Sequence, residues 1–177
     1  MKKKKMKKNL KLGILSDSHT QTSMHEETVA HLLQMGAEYL IHAGDIMLEE
    51  HLQLLEDAPV PYVCVYGNND TSLIPLYGQY KIYREPHYFT IDSLKIKLMH
   101  MPYYMNADAD IVISGHTHMF ECSLHDETLF LNPGEVCARE KPLMECVLLE
   151  IKEGKYHVTH YFKEPQSLAW KSQKSLC

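Results

Sequence analysis

Leu10-Lys11-Leu12-Gly13-Ile14-Leu15-Ser16-Asp17-Ser18-His19 passes abruptly from apolar to polar. Its first seven residues read as a buried strand, and the polar cluster marks that strand's end. Two later runs have the same form. Tyr39 to Ala43 ends at Gly44-Asp45, and Val60 to Tyr66, rich in β-branched and aromatic residues, ends at Gly67-Asn68-Asn69-Asp70. Helical patterns lie between them. In the first, Ser23 and Glu26 have the spacing of a capping box, Met24, Val29, Leu32 and Leu33 keep helical spacing, and Gly36 is a C-terminal stop. In the second, Met47 to Asp57, Leu48, Leu52 and Leu55 share a face and Pro59 lies beyond the end. Strand, helix, strand, helix, strand is the pattern of right-handed crossovers in a parallel sheet.

After residue 70 strands dominate. His87 to Ile91 and Leu94 to His100 read as a hairpin turning at Asp92-Ser93. Asp110 to Ser114 is a short strand ending at Gly115-His116-Thr117-His118. Met119 to Leu124, Thr128 to Leu131, Glu145 to Ile151 and Lys155 to Tyr161 are further strands, the last pair turning at Gly154. The expected class is α/β, with two sheets packed face to face and helices outside. One domain over residues 10–162 is expected, between a basic tail (1–9) and a C-terminal tail (163–177).

Composition narrows the function. The 177 residues are 45% apolar and 23% charged, which suits one globular domain and excludes a disordered or collagen-like chain. No apolar run approaches the ~18 residues that a membrane-spanning helix needs, and no membrane partner is expected. Residues 1–9 hold six Lys and no acid, and removing those six charges takes the net charge from −5 to −11. An acidic body offers no strong nucleic-acid groove. Five Cys, no C-x-x-C pair and no secretory signal point to reduced thiols in the cytoplasm. Twelve His against one Trp and four Phe is the unusual count, because His is the commonest metal ligand.

The polar clusters share one position, just past a strand's end, where parallel sheets bind ligands. Strand one delivers Asp17 and His19, strand two Asp45, strand three Asn68, and later strands His100, His116 and His118. In extended chain, residues i and i+2 point the same way, so Asp17 with His19, or His116 with His118, can address one ion together. Two dications ~3.5–4 Å apart need a shared anion between them, and Asp45 is the candidate. Carboxylate, amide and imidazole donors without sulfur suit Mn, Fe or Zn. His42, inside a strand, reads as buried without metal, and Asp70 as a residue that orients a ligand. Tyr103 and Tyr104 read as ordinary packing. His25, His31, His51, His87, His125, His157 and His160 have no partner motif and read as surface or packing residues.

Ser16-Asp17-Ser18-His19, Gly44-Asp45, Gly67-Asn68-Asn69-Asp70, His100 and Gly115-His116-Thr117-His118 resemble the ordered motifs of the calcineurin-like metallophosphoesterases over residues 10–160. Asn132-Pro133-Gly134 is similar to a further motif of that family's compact phosphodiesterase branch, which itself resembles the retromer subunit of vacuolar protein sorting. The resemblance implies a four-layer αββα sandwich of two mixed sheets. It implies one ion held by Asp17, His19, Asp45 and His118, and another by Asp45, Asn68, His100 and His116. The ions would be Mn, with Fe, Zn, Ni and Mg as alternatives. Asp45, Asn68, Asn69 and Asp70 form the candidate catalytic set.

The reaction this implies is hydrolysis of a small phosphate ester, most readily a diester, by a metal-bridging hydroxide. Neither Ser16 nor Ser18 is needed as nucleophile. Asn69 stands where many members carry a His that protonates the leaving oxygen, so good leaving groups are favoured. Met101-Pro102 follows His100 where relatives usually have Gly, and the helix expected before Gly115 is reduced or missing. The alternatives are a phosphomonoesterase or nucleotide pyrophosphatase, and a retromer-like scaffold. Exposed strand edges and the Trp170 region permit a homo-oligomer.

Overall fold

The computed structural model describes residues 9–176; the basic run 1–8 and Cys177 lie outside them. In chain order the elements are β1 (Asn9–Leu15), α1 (Thr22–Gln34), β2 (Tyr39–His42), α2 (Glu49–Glu56), β3 (Tyr62–Val65), a 3-10 helix (Thr71–Leu76), β4 (Ile82–Tyr83), β5 (His87–Ile91), β6 (Leu94–Leu98), β7 (Ile111–Ile113), β8 (Phe120–His125), β9 (Thr128–Pro133), β10 (Met144–Lys152), β11 (Lys155–Lys163) and β12 (Lys171–Leu176). Two mixed sheets result, one ordered β12-β11-β10-β1-β2-β3-β4 and the other β5-β6-β7-β9-β8. β1, β2, β3 and β4 run parallel, as do β6, β7 and β9.

Alternation along the strands builds the core. Leu12 and Ile14 of β1, Ile41 of β2, Val63 and Val65 of β3, and Val147 and Leu149 of β10 face the second sheet. There they meet Ile96, Leu98, Ile111, Ile113, Leu129 and Leu131. The intervening Leu15, Leu40, Cys64, Cys146 and Leu148 face the helices, packing on Val29, Leu32, Leu52 and Leu55. Burial on both faces explains why these strands read as continuous apolar runs.

The far face of the second sheet is covered differently. Residues 101–110, between β6 and β7, form turns and loop rather than a helix. Among the described residues a small cluster of Met99, Ala109 and Val112, with Phe130, packs there. Alternation in β6 would place Lys97 in solvent, yet it is buried, its ammonium donating to Asn106 Oδ1 (2.6 Å) and Asp108 Oδ1 (3.0 Å). With no helix layer above it, the loop folds down and its own polar groups capture the cation.

Three local expectations are corrected. α1 starts at Thr22 with Gln21 as N-cap and no side-chain cap bond, so the Ser23–Glu26 box is not used. The stretch expected as a C-terminal tail is not free over residues 163–176: Lys171–Leu176 pairs antiparallel with β11. Its largely polar sequence hides it, because an edge strand is held by backbone bonds and needs no apolar face. Cys64, Cys137 and Cys146 are free and buried, whereas Cys122 is disulfide-bonded. No helix among the described residues is long and apolar enough to cross a membrane.

Candidate metal centre

The carboxyl ends of β1, β2 and β3 meet those of β6 and β7 at one edge of the sandwich. Backbone bonds splice the loops there: Asp17 N–H donates to Gly44 O (3.0 Å), His19 N–H to Asp45 O (2.9 Å) and Gly115 N–H to His100 O (3.0 Å). The backbone is strained at this place. Asp17, His19, Asp45, His116 and His118 have φ of 55°, 47°, 55°, 67° and 60°. Such non-glycine angles are uncommon, cost about 1–3 kcal/mol each, and cluster at functional sites. Two motif glycines permit the close approach. Gly44 has φ +94°, and a Cβ on it would meet the His100 ring at 2.7 Å. A Cβ on Gly67 would lie 2.2 Å from Asp45 Oδ1.

All seven expected ligands converge. His100, buried, donates Nδ1–H to Ala43 O (2.8 Å), which leaves the lone pair of its neutral ring on Nε2. That atom lies 3.0 Å from Asn68 Oδ1 and 3.5 Å from Asp45 Oδ1. Asn68 Oδ1 is also 3.1 Å from His116 Nδ1. On the other side, His118 Nε2 is 3.2 Å from Asp17 Oδ1, and His19 Nε2 is 3.6 Å from Asp45 Oδ2. Asp45 therefore lies between the two groups. Asp17 Oδ1 and His19 Nε2 are buried without a hydrogen-bond partner. Buried acceptors facing one another repel unless positive charge lies among them. The charge balance around His118 says the same: the carboxylates of Asp17 and Glu135 on its two sides push its pKa up to about 12. The donor set and the orphaned atoms thus fit a pair of divalent cations.

Around the ligands lies a set of holders. Asn69 donates its backbone N–H to Asp45 Oδ1 (2.9 Å) and Nδ2–H to Asp45 Oδ2 (2.7 Å), so it grips the carboxylate between the two groups. Asp70 accepts from Met47 N–H (2.6 Å) and Gly67 N–H (2.7 Å). It braces the Asp45 and Asn68 loops from behind, in keeping with its reading as a residue that orients a ligand. Ser16 Oγ donates to Asp17 Oδ2 (2.6 Å). Ser18 Oγ lies 2.8 Å from both His25 Nδ1 and His42 Nε2. Gly44 N–H donates to His42 Nδ1 (3.2 Å), so Nε2 carries the ring proton and donates to Ser18, whose hydroxyl then donates to His25. Both serines are thereby committed to structure. Tyr103 and Tyr104 are exposed rather than packed, and neither lines the site cavity.

Three residues at the site carry no signal in the sequence reading. Glu135 accepts from His118 Nδ1 (2.5 Å), and also from the N–H groups of Glu140 (2.9 Å) and Lys141 (2.8 Å). Burial alone would raise the Glu135 pKa, but these donors outweigh it and bring it down to about 2. The available clue was position, because Glu135 directly follows Asn132-Pro133-Gly134. Glu85 accepts from the backbone of His100 (2.5 Å) and Met101 (2.8 Å). That anchors His100 despite the missing glycine. Arg139 joins Asn69 and His116 in lining a cavity of about 560 Å³ over the ligands.

Known proteins match this chain along most of its length. The family model described as the calcineurin-like phosphoesterase superfamily domain matches residues 10–166. A phosphodiesterase of Methanocaldococcus jannaschii is 26% identical over 160 residues, covering 83% of this chain and 96% of its own. A probable metallophosphoesterase of Methanothermobacter thermautotrophicus is 31% identical over 137 residues, covering 70% and 75%. The solved structure of vacuolar protein sorting 29 from Cryptosporidium parvum shares the fold with a TM-score of 0.75 at 18% identity, covering 97% of this chain and all of that one. With its motifs gathered at one edge of two mixed sheets and its match running from residue 10 to 166, the chain belongs to the calcineurin-like phosphoesterase superfamily.

Proposed function

We propose that the protein is a di-metal phosphoesterase that hydrolyses small phosphodiesters. One observation carries this reading: Asp17, His19, Asp45, Asn68, His100, His116 and His118 aim donor atoms at two adjoining points, with Asp45 between them. Asp17, His19, Asp45 and His118 would hold one ion, and Asp45, Asn68, His100 and His116 the other. When bound, such ions supply an acidified water and offset charge on the phosphate oxygens.

This chain's residues set the terms of that chemistry. Asn69 steadies the Asp45 carboxylate through two hydrogen bonds, and its neutral amide donates no proton to a leaving group near pH 7. Substrates whose leaving oxygen needs little protonation are therefore favoured, because general acid help is worth ~10²–10⁴-fold. Lys141 is committed to Glu145 (2.8 Å) and to the His118 carbonyl. Arg139, exposed at the mouth and loosely paired with Glu140 at 3.9 Å, is a cation placed to draw an anionic ester inward. The cavity opens widely, which suits a small ester with no fixed second group.

Bis-p-nitrophenyl phosphate tests the proposal. Mn-dependent hydrolysis by the wild type is expected, with at least about a 100-fold loss in Asp45→Asn, the range seen when a transition-state charge stabiliser is removed. Equal rates for the two proteins would overturn the enzyme reading in favour of a retromer-like scaffold. Faster turnover of p-nitrophenyl phosphate than of the diester would overturn the diester preference alone.

A further inference from the structure

The metal centre holds a sulfur atom that motif reading does not bring there. Cys137 follows Asn132-Pro133-Gly134 by three residues and is buried, with its thiol free. Two backbone bonds stitch its segment to the first ligand loop: Val136 N–H donates to Ser16 O (3.0 Å) and Cys137 N–H to Asp17 O (3.1 Å). One donor atom each from His19, His118 and Cys137 lies within 4.8 Å of the other two. Two donors on one zinc ion lie no more than about 4.4 Å apart, the sum of its bond lengths to N and S.

A second observation points to a ligand independently of the cysteine. His19 Nε2 and Asp17 Oδ1 are buried with no hydrogen-bond partner, in side chains 8% and 0% exposed. Cys137 Sγ lies beside His118, and its hydrogen bond to Glu135 Oε2 is long, at 3.4 Å. That oxygen already accepts from His118 Nδ1 and Glu140 N–H, so it holds the thiol only loosely.

We infer that Cys137 is a sulfur ligand of the ion held by Asp17, His19 and His118, and that it tunes this position toward a thiophilic ion such as zinc. The inference rests on the two-ion reading above. Thiolate favours softer ions, whereas carboxylate and imidazole alone leave manganese competitive. The two positions then differ: the one built on Asn68, His100 and His116 has no sulfur and keeps the harder ion. As the metal–sulfur bond forms, the thiol proton leaves to solvent.

Cobalt(II) titration of the metal-free full chain tests this by absorption spectroscopy. The expected result is a near-ultraviolet sulfur-to-cobalt charge-transfer band in the wild type, absent from Cys137→Ser. Zinc affinity at that position should fall about tenfold or more in the variant, while manganese affinity changes less than about threefold. A residue that merely braced Glu135 and His118 would shift both metals alike and give no band. Bound cobalt without the band in the wild type overturns the inference and leaves the two-ion reading intact. A band that persists in Cys137→Ser also overturns it. Failure of the wild type to bind cobalt at all overturns both. The wild-type spectrum decides even if Cys137→Ser does not fold, and Cys137→Ala provides a second variant.

Discussion

Single side chains show why the centre needs more than its ligands. Glu135 holds His118 by Nδ1 and also fastens the backbone at 140 and 141, so one carboxylate sets both a ligand's ring and the rim of the cavity. Glu135→Gln should keep the shape and lose the charge. Metal affinity at the Asp17 side should fall about 10–100-fold, as for other partners of ligating histidines, measured by calorimetric titration. Affinity at the Asn68 side should stay near the wild-type value, because His100 answers to Ala43 and Glu85 instead. Asn69 shows the same economy: a side chain with no acid–base chemistry near pH 7 stands beside Asp45 and serves as its clamp.

At the scale of elements, loops at strand ends carry both the chemistry and the strain, and the strands hold them in place. The tight turns after β1, β2 and β7 put five ligands at positive φ, and the packed sheets on either side hold them there. The periphery is built more loosely. β12 joins β11 by backbone bonds, and Trp170, just before it, stacks on His31 with ring centroids 4.5 Å apart. Trp170→Ala should cost about 1–2 kcal/mol, below the ~3–5 of a fully buried aromatic, because the ring is only partly buried. Urea denaturation would show this as a lower midpoint at unchanged slope. Metal binding should be unaffected, since β11 and β10 separate β12 from β1. The loop over 101–110 replaces a helix and is fastened by Lys97, an arrangement that alternation in β6 could not signal.

For the whole molecule, the buried histidines set the acid limit of stability. Burial pushes His25 down to about 3, and also lowers His42 and His51. Unfolded, each takes a proton near pH 6.5, while the folded protein keeps His25 neutral down to about pH 3. Between those values the unfolded chain binds more protons, so this stabilisation is complete above pH 6.5 and is lost as pH falls toward 3. His25 tilts the free energy by about 1.4 kcal/mol per pH unit within that window, and His42 and His51 act in the same direction. Urea midpoints of the metal-free protein at pH 7.5 and 5 should differ accordingly, and His25→Gln should reduce the difference. An unchanged difference in His25→Gln would remove His25 from the account.

Strand ends were legible in the amino-acid order because burial on both faces makes continuous apolar runs, and a ligand loop must break them. Leu10 to His19, Gly44-Asp45 and Gly115 to His118 therefore announced both the sheets and the side chains that gather at their edge. Spacing along the chain says nothing about groups brought together across it. Glu85 reaches His100, Glu135 reaches His118, and Cys137 comes beside His19 from 118 positions away. No periodicity encodes such meetings. Lys97 and β12 were hidden for a related reason: each is held by partners from another segment, so neither its own polarity nor its pattern discloses its place. The candidate donors were local in the sequence, whereas the shell that orients them, and the sulfur beside them, arose only when the two sheets closed on each other.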